Sequence, residues 1–443
     1  MKALIHSDGA AVMHAADQLY NTYAANLPIV DYRSAVSMAL LLQNPSFSSV
    51  TQVLLDGDGE KLAAMRRYGV PDKLMGLQAS EFERFRAFCS VVPLWMGSAL
   101  YERCHRELAL YFDCDLPICA ENCEDIWMRC AARMQDGSVR PQQLLQAAGL
   151  STVCTVEDVT VRPLHAQWQR EERPFAALPI FCPQSCLNIG QKGITALVKR
   201  LGDTFGVAIV DIDSLAVALD RSLDCFCELG CRSAWHTLYG QEAFAAPNPY
   251  LANEIFKRAI AGDGSKITAQ EQALFQAQLL RLLGQRYLSR GITLQLSLDD
   301  ACPDGYAREL LQYLYGCDAL PCTLLCSTIG ERMPLLTSLT GAFAALPSCT
   351  PRILLGGEAF VRTGNEQVLS SVIESVGAGC LVGVSSAGGA LLSIARQDVF
   401  RRALCRSLGA AMAQGSILHD EDAVASCIRG ACLENAKRHF GVK

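Results

Sequence analysis

Positive charge is scarce in this chain. Its 39 lysines and arginines are outnumbered by 45 aspartates and glutamates, which leaves a formal net charge of −6. No basic cluster sits beside aromatic residues. Such a sequence has no electrostatic footprint for nucleic acid, so no nucleic-acid partner is expected. Long hydrophobic runs are missing too. Stretches such as Ala39-Leu-Leu-Leu42 and Leu279 to Leu283 fall far short of the roughly 20 apolar residues that span a bilayer, so no membrane partner is expected. The opening Met1-Lys-Ala-Leu-Ile-His-Ser-Asp8 turns polar too early for a secretory leader, and the expected location is cytoplasmic. There is no internal repeat, no low-complexity segment and no Cys-x-x-Cys pair; the last absence argues against a zinc knuckle or a redox couple.

What the chain has is apolar bulk. Half of its 443 residues are hydrophobic and 19% are charged, enough to bury a large core and roughly three quarters of the unfolded surface. Its 21 cysteines read as part of that core. Cys114, Cys119, Cys123 and Cys130 are separated by four, three and six residues, which is no metal-ligand spacing. A free cysteine packs as a compact hydrophobe, and a cytosolic chain keeps its thiols reduced. Cys225 and Cys227, two apart, would diverge on a helix.

From about residue 150 onward, short apolar or β-branched runs alternate with longer helical periods, the pattern of βα units on a parallel sheet. The candidate strands are Thr152–Thr155, Leu178–Phe181, Gly230–Ser233, Thr293–Ser297, Cys322–Cys326, Arg352–Gly356 and Cys380–Val384, with Pro28–Asp31 ahead of them. Eight strands with intervening helices predict an α/β fold, a (β/α)8 TIM barrel with a helical insertion after the first strand. The division is 1–37 for an N-terminal helix and the first strand, 38–148 for the insertion, and 149–443 for the rest of the barrel. Within the insertion, Phe82, Phe85 and Phe88 or Cys89 share one helix face, and Ser80 with Glu83 forms a capping-box start.

Two segments carry a resemblance. Leu27-Pro-Ile-Val-Asp-Tyr-Arg-Ser-Ala-Val-Ser37 and Leu381-Val-Gly-Val-Ser-Ser-Ala-Gly-Gly389, continuing to Phe400-Arg-Arg-Ala-Leu-Cys405, resemble the ends of uronate isomerase barrels. Similar scaffold stretches are Met65-Arg-Arg-Tyr-Gly-Val70, Leu178-Pro-Ile-Phe-Cys-Pro-Gln-Ser-Cys-Leu-Asn-Ile189, Glu228-Leu-Gly-Cys-Arg232, Gly291-Ile-Thr-Leu-Gln-Leu296 and the closing Asn435-Ala-Lys-Arg-His-Phe440. The likeness spans nearly the whole chain. It implies a metal-dependent-hydrolase-like barrel that interconverts aldose and ketose forms of a uronic acid such as D-glucuronate or D-galacturonate, with a divalent metal such as zinc. Proton transfer between adjacent carbons needs a base of suitable pKa and an electrophile for the developing enediolate.

The positions that would do this chemistry depart from the family pattern. Arg33 and Ala35 stand where the resemblance puts two imidazole ligands, Ala387 replaces a metal-binding Asp, and Gly389 replaces an active-site Arg. Alanine has no lone pair to offer, and a guanidinium is always charged and accepts no hydrogen bond. Cys182 replaces a substrate-binding Arg; Ser297 and the segment Gly357-Glu-Ala-Phe360 replace a His and a pair of aromatics. Asp158 and His236 remain from two other turns, His236 being placed at the end of a fifth strand. His105 and Glu107 match a further segment but diverge on a helix. Arg396, Arg401 and Arg402 match basic residues after the last strand, with a stacked or salt-bridged structural role open to Arg401 and Arg402.

The catalytic candidates are therefore Asp158, His236 and Arg396. The ligand-binding candidates are Arg33, His105, Gly356, Ser385, Ser386, Gly388 and Gly389. No metal ligand is assigned and no cofactor is expected. The leading expectation is a uronate isomerase relative, a pseudoenzyme whose standard activity in glucuronate catabolism is lost or strongly reduced. A second is a metal-free binder or enzyme for a phosphorylated or carboxylated sugar, held by Arg33 and by the Gly/Ser-rich loops after strands seven and eight. A third keeps the reaction on displaced ligands Asp31, Glu157, Asp158 and His236. The expected partner is a small anionic sugar; assembly into a homo-oligomer stays open.

Overall fold

The computed structural model describes residues 9–238, 244, 246–299, 301–343, 353–363, 366–418 and 420–442. Its eight strands are β1 Ile29–Ser34, β2 Leu150–Asp158, β3 Ala176–Cys182, β4 Ser233–Leu238, β5 Thr293–Leu298, β6 Thr323–Ser327, β7 Ile353–Gly356 and β8 Leu381–Val382. They run in sequential order in one sheet, and the registered pairs are parallel. This is the expected (β/α)8 architecture, with the helices of residues 38–147 between β1 and β2. Every residue of β1, β6 and β7 is buried, as parallel strands covered on both faces require. Arg352, at the start of the seventh expected strand, lies outside the described residues.

The fourth strand lies later than the sequence pattern predicts. Gly230 has φ +93° and closes the helix Ile212–Glu228, whose end is satisfied by Cys231 N–H donating to the Phe226 carbonyl. The glycine is a helix stop, and the strand begins at Ser233. His236 thereby falls inside β4, not at the end of a fifth strand.

The residues form two compact units. The first comprises residues 1–155, 171–177 and 357–436; the second comprises residues 156–170, 178–356 and 437–443. In the first unit, the helix Glu81–Val91 starts on the reciprocal Ser80–Glu83 capping box. Its Phe85 and Phe88 are fully buried, and Phe82 meets Trp127 edge-on at 5.2 Å, so the aromatic stripe is core. In the second unit, the 22-residue helix Ala269–Arg290 starts on a Thr268–Glu271 box. No described cysteine is exposed. Burial pushes the thiols of Cys104, Cys231 and Cys432 up to about 12, which keeps them protonated and packing as hydrophobes. Among the described residues no helix is long and apolar enough to cross a membrane.

The first unit also buries charge. The helices Gly59–Arg67 and Ala99–Phe112 meet through Lys61, whose ammonium binds Glu107, lies 3.5 Å from Asp58 and donates to the Leu54 carbonyl at 2.8 Å. Arg103 binds Asp58 at 2.8 Å and Glu60 at 2.7 Å. Arg396 binds Glu60 at 2.8 Å, closing a chain of three cations and three carboxylates. Burial works against the charge of Lys61, but Glu107 and Asp58 more than offset it and push its pKa up. Burial likewise opposes ionisation of Asp58, yet Lys61 and Arg103 hold it below the usual carboxylate range.

Removing one partner of a sealed pair leaves an uncompensated charge. Lys61→Met is expected to lower unfolding stability by about 3–5 kcal/mol, and Lys61→Met/Glu107→Met to recover much of that loss. Urea denaturation of the three proteins checks both; equal losses in the single and double variants would remove the pairing argument.

Candidate active site

Three segments of the first unit converge beyond β1. The first is β1 itself, which supplies Asp31, Tyr32 and Arg33 at a point where its register with β2 shifts, between Asp31 and Ser34. The second segment is the start of the short helix Glu358–Thr363. The third is the Ser385–Gly389 loop that follows β8.

Glu358 is the hub of this cluster. Its Oε1 accepts from Tyr32 Oη at 2.8 Å, Ser385 Oγ at 2.8 Å and the Arg33 guanidinium at 3.3 Å, and the Arg33 and Glu358 side chains are only 7% and 10% exposed. Its other oxygen, Oε2, is buried without a hydrogen-bond partner. Next to this pair, Asp31 accepts from Ser386 twice, from N–H at 3.0 Å and from Oγ at 2.5 Å. Ser386 Oγ also accepts from Ala35 N–H at 3.0 Å. Burial raises the pKa of Asp31 despite the Ser386 hydrogen bonds that favour its charged form.

The two glycines of the loop answer to backbone conformation and to packing. Gly388 has φ +72°, and a Cβ at Gly389 would lie 2.0 Å from Ser393 Oγ. At Gly357 a Cβ would come within 2.6 Å of the Gly383 carbonyl and 2.8 Å of Phe400. The amides of this corner are committed internally as well: Gly357 N–H donates to Gly383, Gly383 N–H to Ala431 and Gly389 N–H to Ser386. A 3-10 turn, Leu391–Ala395, separates the loop from the helix Arg396–Ala413, so the loop does not run straight into an α-helix N-terminus.

The other expected residues lie apart from this cluster or serve as struts. Arg396 grips the loop, donating to the Ala387 carbonyl at 2.9 Å and the Ser386 carbonyl at 3.4 Å while bound to Glu60. His105 is held at both ring nitrogens: Ile118 N–H donates to Nε2 at 3.0 Å, so Nδ1 carries the proton toward the Tyr101 carbonyl at 2.9 Å. In the second unit, Asp158 binds Thr160 at 2.8 Å and Arg200 at 3.1 Å. His236 is fully buried with Nε2 3.0 Å from Tyr287 Oη and no partner on Nδ1. Gly356 ends β7. Cys182 is half-buried at the end of β3. Sequence reasoning missed Glu358; the available signal was an acid appearing after the seventh strand in a chain that also has an arginine after the first.

The glucuronate isomerase family profile matches residues 1–301 and 299–440. The chain belongs to the glucuronate isomerase family. Among the relatives, a uronate isomerase from Bacillus licheniformis is 27% identical over 99% of this chain and 98% of its own length. Another from Caldicellulosiruptor saccharolyticus is 27% identical over the full length of both. The crystal structure of the Thermotoga maritima uronate isomerase superimposes with a TM-score of 0.85 at 22% identity, covering 96% of this chain and 97% of that one. The Caulobacter crescentus glucuronate isomerase gives 0.82 at 18%, over 98% and 95%. These structural matches carry the fold.

The residues of this family member do not fit a divalent metal where the resemblance implies one. Arg33 offers no acceptor and presents positive charge, while Ala35 and Ala387 offer no side-chain donor atoms. The nearest carboxylates, Asp31 and Glu358, already accept from Ser386, Tyr32, Ser385 and Arg33. Among the described residues, no group of three or more His, Cys, Asp or Glu is placed to hold a metal ion.

Burial pushes the His236 imidazole down to about 3 and His165 and His439 down to about 4. Each is neutral in the folded chain at pH values where the unfolded chain takes up a proton near 6.5. Stability therefore falls as pH drops below about 6.5, by up to about 1.4 kcal/mol per pH unit for each imidazole. His236→Gln removes one of these terms. The unfolding free energy of the variant minus that of the wild type is expected to rise as pH is lowered from 7 to 4, as read from urea midpoints across that range. A difference that stays flat with pH would show that burial does not depress this histidine.

Proposed function

We propose that this member of the glucuronate isomerase family has lost, or nearly lost, the metal-dependent isomerisation of D-glucuronate and D-galacturonate. The observation that carries this reading is the Arg33–Glu358 ion pair. A buried guanidinium, neutralised by a carboxylate of the same chain, takes the place of an electrophile that would stabilise enediolate charge. Asp31 supports the reading, because its oxygens are directed at Ser386 and not at an open position.

The second reading, a metal-free holder of a phosphorylated or carboxylated sugar, draws on the same arginine. An anion reaches Arg33 only by displacing Glu358, and the Ser386, Gly357 and Gly389 amides are already in use. In the wild-type cluster the chain's own carboxylate, Glu358, therefore acts as the resident anion.

Two measurements test this. Purified protein incubated with zinc and desalted is expected to retain far less than one metal per chain by mass spectrometry, and to give no conversion of D-glucuronate above buffer. One tightly held metal with turnover would overturn the proposal. Separately, Glu358→Gln is expected to gain a calorimetric binding event for phosphate or D-glucuronate, tightened about tenfold or more over wild type and abolished by adding Arg33→Met. If wild type and Glu358→Gln bind equally well through Arg33, the second reading replaces the first.

A further inference from the structure

A separate cleft of the first unit lies at the opposite end of β1 from the Ser386 cluster. It has a volume of about 340 Å³ and includes Ile29, the first residue of β1, Ala148 just ahead of β2, and Tyr20, Arg106, Asp398 and Arg402. Arg401, 4% exposed, also lines it. This volume falls in the size range of small-molecule sites.

Its charges do not balance. The one carboxylate in the lining, Asp398, is shared: Tyr20 Oη donates to one oxygen, while Arg402 at 2.9 Å and Arg106 at 3.5 Å approach the other. Arg402 also stacks on the Tyr20 ring at 3.8 Å. Arg106 has one further acidic neighbour, Glu102 at 3.9 Å. Arg401 has no ion-pair partner among the described residues. Its two terminal nitrogens donate to the carbonyls of Ala24, Leu27 and Pro28, and its Nε is buried without a partner. Three guanidiniums thus line a cleft with one carboxylate, and the most buried of them, Arg401, donates its hydrogen bonds to backbone carbonyls alone. A buried cation in that state is stabilised by any anion that reaches it, and guanidiniums favour planar carboxylate or phosphate oxygens.

We propose that this cleft binds a small anion of the carboxylate or phosphate-ester class, independently of the Arg33 cluster. The apolar residues Ile29, Leu110 and Ile394 would cover the body of the ligand while Arg401, Arg402 and Arg106 take its charge. The proposal stands whether or not the isomerase reaction is lost, because none of these residues belongs to the Arg33–Glu358–Asp31 cluster.

The test is calorimetric titration of the full-length protein with inorganic phosphate and, in a second arm, D-glucuronate, at constant ionic strength. Wild type is expected to show one saturable event that Arg106→Gln weakens about tenfold and that Arg33→Met leaves unchanged. The arm with the tighter event assigns the ligand to phosphate or to carboxylate. Arg106 is 38% exposed, so its replacement does not threaten folding, whereas Arg401→Met removes an anchor of the Ala24–Pro28 backbone and is read only if it melts as wild type does. No saturable binding in either arm would overturn the proposal, as would binding lost in Arg33→Met and kept in Arg106→Gln.

Discussion

Lys61 has no exposed side-chain surface, and neither have Asp58 and Glu107 beside it. Isolated, any of these charges would cost several kcal/mol to hold away from water. Their mutual arrangement fixes where the helices Gly59–Arg67 and Ala99–Phe112 can lie. The same chain of charges continues through Arg103 and Glu60 to Arg396, and Arg396 holds the carbonyls of Ser386 and Ala387. The loop that presents Ser386 to Asp31 is thus positioned by a charge network rooted in the inserted helices.

The Asp31–Ser386 and Arg33–Glu358 pairs then depend on that loop and on β1. Arg33 alone would be an unpaired cation in a buried pocket. Glu358, supported by Tyr32 and Ser385, removes that cost by supplying the opposite charge from within the chain. The cluster is a polar network whose buried cation is paired within the chain, and Gly389 and Gly357 beside it answer to close packing against Ser393, Gly383 and Phe400.

Much of the fold was legible because its signals are local. The Ser80–Glu83 box, the Phe85 and Phe88 stripe and the apolar runs of β5, β6 and β7 each follow from periodicity and capping. The fourth strand was misplaced because Gly230 and Cys231 are apolar and small enough to look like strand, while the positive φ of Gly230 belongs to a helix end. In the site, the absence of lone pairs on the side chains at positions 33, 35 and 387 could be read directly. The role of Glu358 could not, since nothing local says that a carboxylate 325 residues away meets Arg33.

Sequence by itself determined the barrel, the inserted helices, the family and the chemical incapacity of Arg33, Ala35 and Ala387 as ligands, because these depend on residue type and short-range pattern. Tertiary structure alone decided which charges meet. It gave Arg33 a partner in Glu358, bound Asp31 to Ser386, made struts of Arg396 and His105, and left Arg401 with backbone carbonyls only. Pairing among buried charges is a matter of distance in space, and chain separation carries almost no information about it.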